Sequence, residues 1–114
     1  MTAAARPDPE TIARGSGNLF ADLGYPDADE RQTRLRLAYA INAAIASKRL
    51  SQSEVASRLG VSQPKVSALA RYKLEGFSVE RLMTFLTALD RDFEITIRKK
   101  PRSRKAGRIL VAAA

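Results

Sequence analysis

The sequence has no cysteine, no histidine and no tryptophan. Without cysteine there is no disulfide framework and no thiolate metal site. Without histidine the commonest general base is missing, and a metal site would need carboxylates alone. No convergent carboxylate motif takes their place, so we expect no catalytic residues, no metal and no cofactor. Aromatic residues make up only 6% of the chain, and the stacking platforms that hold single-stranded RNA are missing. No apolar run approaches a membrane span. The N-terminus lacks the apolar stretch of a secretory signal. The expectation is a soluble cytoplasmic protein with no membrane partner that is not an enzyme. Gly15-Ser16-Gly17 lacks the lysine and preceding strand of a phosphate loop, and reads as a flexible joint.

What the chain does have is positive charge. Over 114 residues it carries 20 basic and 12 acidic side chains, a net +8. The length suits one domain with a modest core. The excess favours polyanionic partners without specifying a fold. It is also unevenly placed. Residues 1–30 hold two basic and six acidic residues, whereas residues 48–73 hold six basic and one acidic. Residues 98–108 hold seven basic residues and no acid.

The middle block overlaps the most patterned stretch, LSQSEVASRLGVSQPKVSAL, residues 50–69. It predicts a short helix over Gln52–Leu59, N-capped by Ser51. Gly60 follows, where positive φ is free of a Cβ penalty, so the chain turns sharply. Ser62 then caps a second helix, with Pro64 in its first turn, where a missing N–H costs least. Val55 and Leu59 lie four apart, Val66 and Leu69 three apart, Val61 fills the turn, and Ala56 is small where the helices cross. These residues form one inward seam. The second helix is left with a polar, partly basic face that suits a DNA major groove.

Gln52, Val55, Ala56, Leu59, Gly60, Val61, Gln63, Val66 and Leu69 together resemble the helix-turn-helix of the lambda-repressor-like (Cro/C1, XRE) family. The resemblance is strong over about twenty residues and looser in the flanking helices. It implies a five-helix DNA-binding domain acting on double-stranded DNA with an inverted-repeat operator. In that pattern the glutamine opening the first helix holds a phosphate and braces the glutamine opening the second; Gln52 and Gln63 match these places. Gln63 can bridge adenine N6 and N7, and Lys65 can reach guanine O6 and N7, with Ser67 beside them for a base or sugar. Ser62, Arg71 and Lys73 are the remaining candidates for the DNA backbone. Pro64 departs from many members and stiffens the first turn of the reading helix. The phrase GSGNLFADLGYPDADE, residues 15–30, resembles the entry segment of small antitoxins and regulators in the HigA-type branch of the family. That implies a ribonuclease toxin as a second partner; a stand-alone repressor, or a module that mainly neutralises a partner protein, is the alternative.

The rest of the chain frames this head. Residues 1–17 are expected to be a flexible segment, 18–98 the domain and 99–114 a basic flexible tail. Leu19, Phe20 and Leu23 share one side of a single helical turn that stops at Gly24 and plugs the main body. Asp27 to Glu30 reads as a capping box opening a long helix to Lys48. Its buried stripe is Leu35, Ala38, Ile41, Asn42 and Ile45, widened by Leu37, Tyr39 and Ala44. Lys48 and Arg49 either complement that helix's C-terminus or lie beside a phosphate. Tyr72 reads as half-buried packing. Ser78 caps a further helix to Asp90, with Phe77 and Leu82 as a hydrophobic staple and Leu82, Phe85, Leu86 and Leu89 closing the core.

Phe93 to Arg98 alternates at period two and reads as a strand with Phe93, Ile95 and Ile97 inward. Pairing with the same strand of a second copy in a homodimer is the preferred reading, and a hairpin with Ile109-Leu110-Val111 is the other. The expected fold is thus mainly α, five helices and one C-terminal β-strand. The basic run after it is either a solvated charge run or an added phosphate contact.

Overall fold

The computed structural model describes residues 23–112. Its four helices are α1 (Ala28–Lys48), α2 (Gln52–Leu59), α3 (Gln63–Ala70) and α4 (Val79–Ala88). α1 is the central post. Leu37, Ala38 and Ile41 are fully buried along it and Leu35 and Ala44 nearly so. α4 packs lengthwise on α1, and α2 and α3 lie against the same core. Val55, Leu59, Val66, Leu69, Leu82, Phe85, Leu86 and Leu89 complete that core with Leu74 and Phe77 from the α3–α4 connector. Phe77 meets Phe85 edge-on, with centroids 6.0 Å apart and planes at 77°, a preferred aromatic geometry. Each fully buried aliphatic side chain contributes about 1.5–3 kcal/mol.

The expectation of five helices and a C-terminal strand is overturned: the described residues form four helices and no strand. The expected first turn lies outside the described residues except for Leu23 and Gly24, and Leu23 is exposed rather than buried. Phe93 alone of its segment tucks against the core, while Ile95 and Ile97 are 73% and 93% exposed. Alternation defines a face, but a strand also needs a row of backbone partners. Neither segment 93–98 nor segment 109–111 supplies one to the other; Ile109 and Leu110 are exposed.

The caps also differ in part. Asp27 occupies the N-cap of α1 but makes no side-chain cap bond. Its carboxylate instead accepts from Arg31 Nε at 2.8 Å. The capping box forms one helix later. Ser51 Oγ accepts from the Glu54 N–H at 3.2 Å, and Glu54 Oε1 accepts from the Ser51 N–H at 3.1 Å. The Ser51 N–H, and after it the Ser51 hydroxyl, hold the Glu54 carboxyl below its ordinary range. Ser78 caps α4 as its sequence implies, accepting from Arg81 N–H at 3.1 Å.

All four helices end alike, with a residue in the left-handed region and an N–H reaching back five residues. The N–H of Leu50, Val61, Lys73 and Arg91 donate to the carbonyls of Ile45, Ala56, Ala68 and Leu86 at 3.2, 3.1, 2.9 and 3.0 Å. This is the long bond of a Schellman ending. The residues at positive φ are Arg49 (54°), Gly60 (67°), Tyr72 (59°) and Asp90 (63°). Three helices therefore stop without glycine, each against a steric cost.

Candidate nucleic-acid interface

The helix pair α2–α3 is built as its spacing requires. Val55 and Leu69 are 1% exposed and Val66 is 3% exposed, so both helices are fixed by their inner faces. Gly60 makes the bend at φ 67° and ψ 34°. A second constraint comes from α1. Asn42 Nδ2 donates to the Leu69 carbonyl at 3.1 Å, tying the last turn of α3 to the central helix. Asn42 thus serves as a satisfied structural polar group rather than a surface contact.

On the outer side of α3, Gln63, Pro64 and Lys65 are exposed and Ser67 is half-buried. Gln52, Ser62, Arg71 and Lys73 are exposed around them. The structure joins two of these candidates directly: Arg71 Nη2 donates to Ser67 Oγ at 2.7 Å, one turn apart. That bond holds a guanidinium beside the end of α3. Lys65 is turned elsewhere, with Nζ 5.5 Å from the Phe77 ring centre. Leaving that ring costs it about 0.5–1 kcal/mol at an exposed site. Gln52 and Gln63 form no hydrogen bond with each other. Ser62 stands at the N-cap of α3 with extended backbone but no side-chain cap bond. Its side chain is exposed, while its carbonyl accepts from the Lys65 and Val66 N–H groups, both at 3.1 Å.

Asp90 was not legible as part of this region. Its carboxylate accepts from Lys48 Nζ at 2.7 Å and lies 3.6 Å from Arg58 Nη1. The Lys48 hydrogen bond and charge, then Arg58, hold the Asp90 carboxyl below its usual range. Lys48 is therefore engaged by a carboxylate and contributes less bare charge than the composition suggests. The pairs are exposed and worth little in stability, but they link the ends of α1, α2 and α4. Nothing in the local sequence around Asp90 announces partners 42 and 32 residues away.

Two comparisons bear on this arrangement. The family model described as a helix-turn-helix domain matches residues 19–98. A solved structure named "Putative XRE Family Transcriptional Regulator" is 73% identical, with a TM-score of 0.74, over 78% of this chain and 100% of its own. The chain belongs to the XRE-type helix-turn-helix family. No curated protein matches it. The family is not one of enzymes, and among the described residues no helix is long and apolar enough to cross a membrane. Within this XRE-type domain, α2 and α3 are the helix pair joined by the bend at Gly60.

Proposed function

We propose that this XRE-type protein is a cytoplasmic, sequence-specific double-stranded DNA-binding repressor that works as a homodimer. The observation that carries the reading is the presentation of Gln63. It is exposed at the first position of a helix whose opposite face is locked into the core. Rigid mounting matters because a bidentate base contact needs its donor and acceptor aimed together. Gln63 reads a base edge, with Lys65 and Ser67 as its neighbours in the groove. Gln52, Ser62, Arg71 and Lys73 hold the DNA backbone. One reading helix covers only a few base pairs, so two copies on an inverted repeat, about 34 Å apart, give a usable operator.

Gln63→Ala is expected to cost about 1–3 kcal/mol on the cognate operator and to relax preference at one position. Lys65→Ala costs less, because Lys65 must first leave Phe77. Arg71→Ala or Lys73→Ala weakens all duplexes alike and flattens the salt dependence. A binding titration at several salt concentrations separates these classes. Operator affinity that survives Gln63→Ala and Lys65→Ala together would show the base-reading assignment to be wrong.

A finer reading makes the repressor the antitoxin of a HigA-type pair, binding a small ribonuclease toxin and regulating their shared operon. Its support is the resemblance carried by residues 15–30. Co-purification with the product of the adjacent gene tests it. A stand-alone regulator would bring down no such protein.

A further inference from the structure

Of the net charge of +8, residues 98–108 supply +7, so the rest of the chain is close to neutral. This charge does not hang free. The segment leaves the core at Phe93 and returns to it at Val111, both partly buried against the hydrophobic cluster. At the return, Arg36 Nη1 donates to the Val111 carbonyl at 3.1 Å. Between the anchors the chain makes a turn, closed by Arg104 N–H on the Pro101 carbonyl at 3.2 Å. Lys100 braces it, its Nζ donating to the Pro101 and Arg104 carbonyls at 3.2 and 2.6 Å. Arg98, Lys99, Arg102, Lys105 and Arg108 remain exposed around this turn.

Such an arrangement crowds like charge. The Arg36 guanidinium is pushed down first by burial and then by Arg108. No acidic residue lies within the run to relieve it. A solvated tail gains nothing from a braced turn and a return anchor. A loop that must meet a line of negative charges does gain, because its ordering is already done before binding.

We propose that residues 98–108 form a tethered loop that binds backbone phosphates of duplex DNA next to those under α3. The proposal rests on the DNA-binding reading of α3 and extends it. The placement follows from α1, where Asn42 holds α3 and Arg36 holds the loop. Six residues separate them, so they leave the helix roughly 120° apart. The loop is therefore carried on a different flank of α1 from α3, so the phosphates assigned to it are separate from those under α3.

The test uses the full chain and a triple variant, Lys99→Ala, Arg102→Ala and Lys105→Ala, all exposed positions. Both are titrated against an operator duplex and an unrelated duplex between about 50 and 200 mM salt. Each lost phosphate contact reduces the log–log slope by about 0.9, so three contacts reduce it by about 2.7, roughly a 40-fold smaller loss of affinity across that range. The reduction is expected equally on both duplexes, leaving the ratio between them unchanged. Val111→Ser, which loosens the anchor and keeps every charge, is expected to keep the slope and weaken binding several-fold. A triple variant with the wild-type slope overturns the proposal. So does capture by 30% phosphatidylserine vesicles that exceeds duplex binding and vanishes in the triple variant. Neither result touches the role of α3, which Gln63→Ala reports on the same operator; a wild type that binds no duplex would remove the underlying reading instead.

Discussion

The tie between Asn42 and Leu69 makes a sharp perturbation possible. Asn42 Nδ2 donates to a carbonyl at 3.1 Å from a half-buried position. That carbonyl also accepts from the Tyr72 N–H at 3.1 Å, so removing Asn42 does not orphan it. Asn42→Ala should therefore cost only a net hydrogen bond and some packing, about 1–1.5 kcal/mol. Asn42→Asp keeps the shape but replaces the donor with a carboxylate that faces a carbonyl oxygen. It loses the bond and adds repulsion, and should cost about 2–3 kcal/mol at pH 7. The sign with pH follows. The introduced carboxyl is disfavoured when ionised, so its folded pKa lies above its unfolded value of about 3.9. Relative to wild type, the variant is nearest to parity below that unfolded value and loses stability as pH rises through the folded pKa. Denaturant titrations of wild type and both variants at about pH 4 and pH 7 measure the gap, and differencing at each pH cancels the background carboxylates. A variant Asn42→Asp as stable as Asn42→Ala at pH 7, or a gap that stays constant on acidification, refutes the reasoning.

Other outcomes follow from the same geometry. At Gly60, φ is 67° and an added Cβ would meet no atom within 4 Å, so Gly60→Ala pays backbone strain alone, about 1–2 kcal/mol, with the denaturant slope unchanged; a larger loss would mean that the turn itself had moved. Ser67→Ala removes the 2.7 Å acceptor of Arg71 while leaving its charge; operator affinity is expected to fall a few-fold at a constant salt slope, and Ser67→Thr to restore it. Asp27, Glu54 and Asp90 are all held below their ordinary range, by Arg31, the Ser51 backbone and Lys48 respectively. Their contribution is full above the ordinary carboxylate range and is lost as pH falls below it. With no histidine in the chain, stability measured by thermal melting should be nearly flat between about pH 5.5 and 8.

The places where local reasoning succeeded and failed are informative. Ser51, Gly60, Pro64 and Ser78 act within a turn of themselves, and the structure puts each at the helix end that its chemistry suits. The Asp27 box failed for a reason that is also local: Arg31, four residues on, takes the carboxylate at 2.8 Å before the backbone can. The strand at Phe93–Arg98 failed for a different reason. Its alternation is real, but period two reports side-chain direction and says nothing of whether another backbone lies alongside. The candidates around α3 were legible because burial of Val66 and Leu69 forces Gln63 and Lys65 outward. That Lys65 would lean on Phe77, and Arg71 on Ser67, was not.

By itself the sequence determined the helix periodicities, the bend at Gly60, the inward seam of α2 and α3 and the two blocks of positive charge, because each is set within a few residues by caps, spacing and composition. Only the tertiary structure decided that Asn42 ties α3 to α1, that Asp90 gathers Lys48 and Arg58, that three helices end in the left-handed region without glycine, and that Arg36 brings Val111 back to the core. Those contacts join residues far apart in the chain, and their energies exist only once the core has brought them within hydrogen-bonding distance.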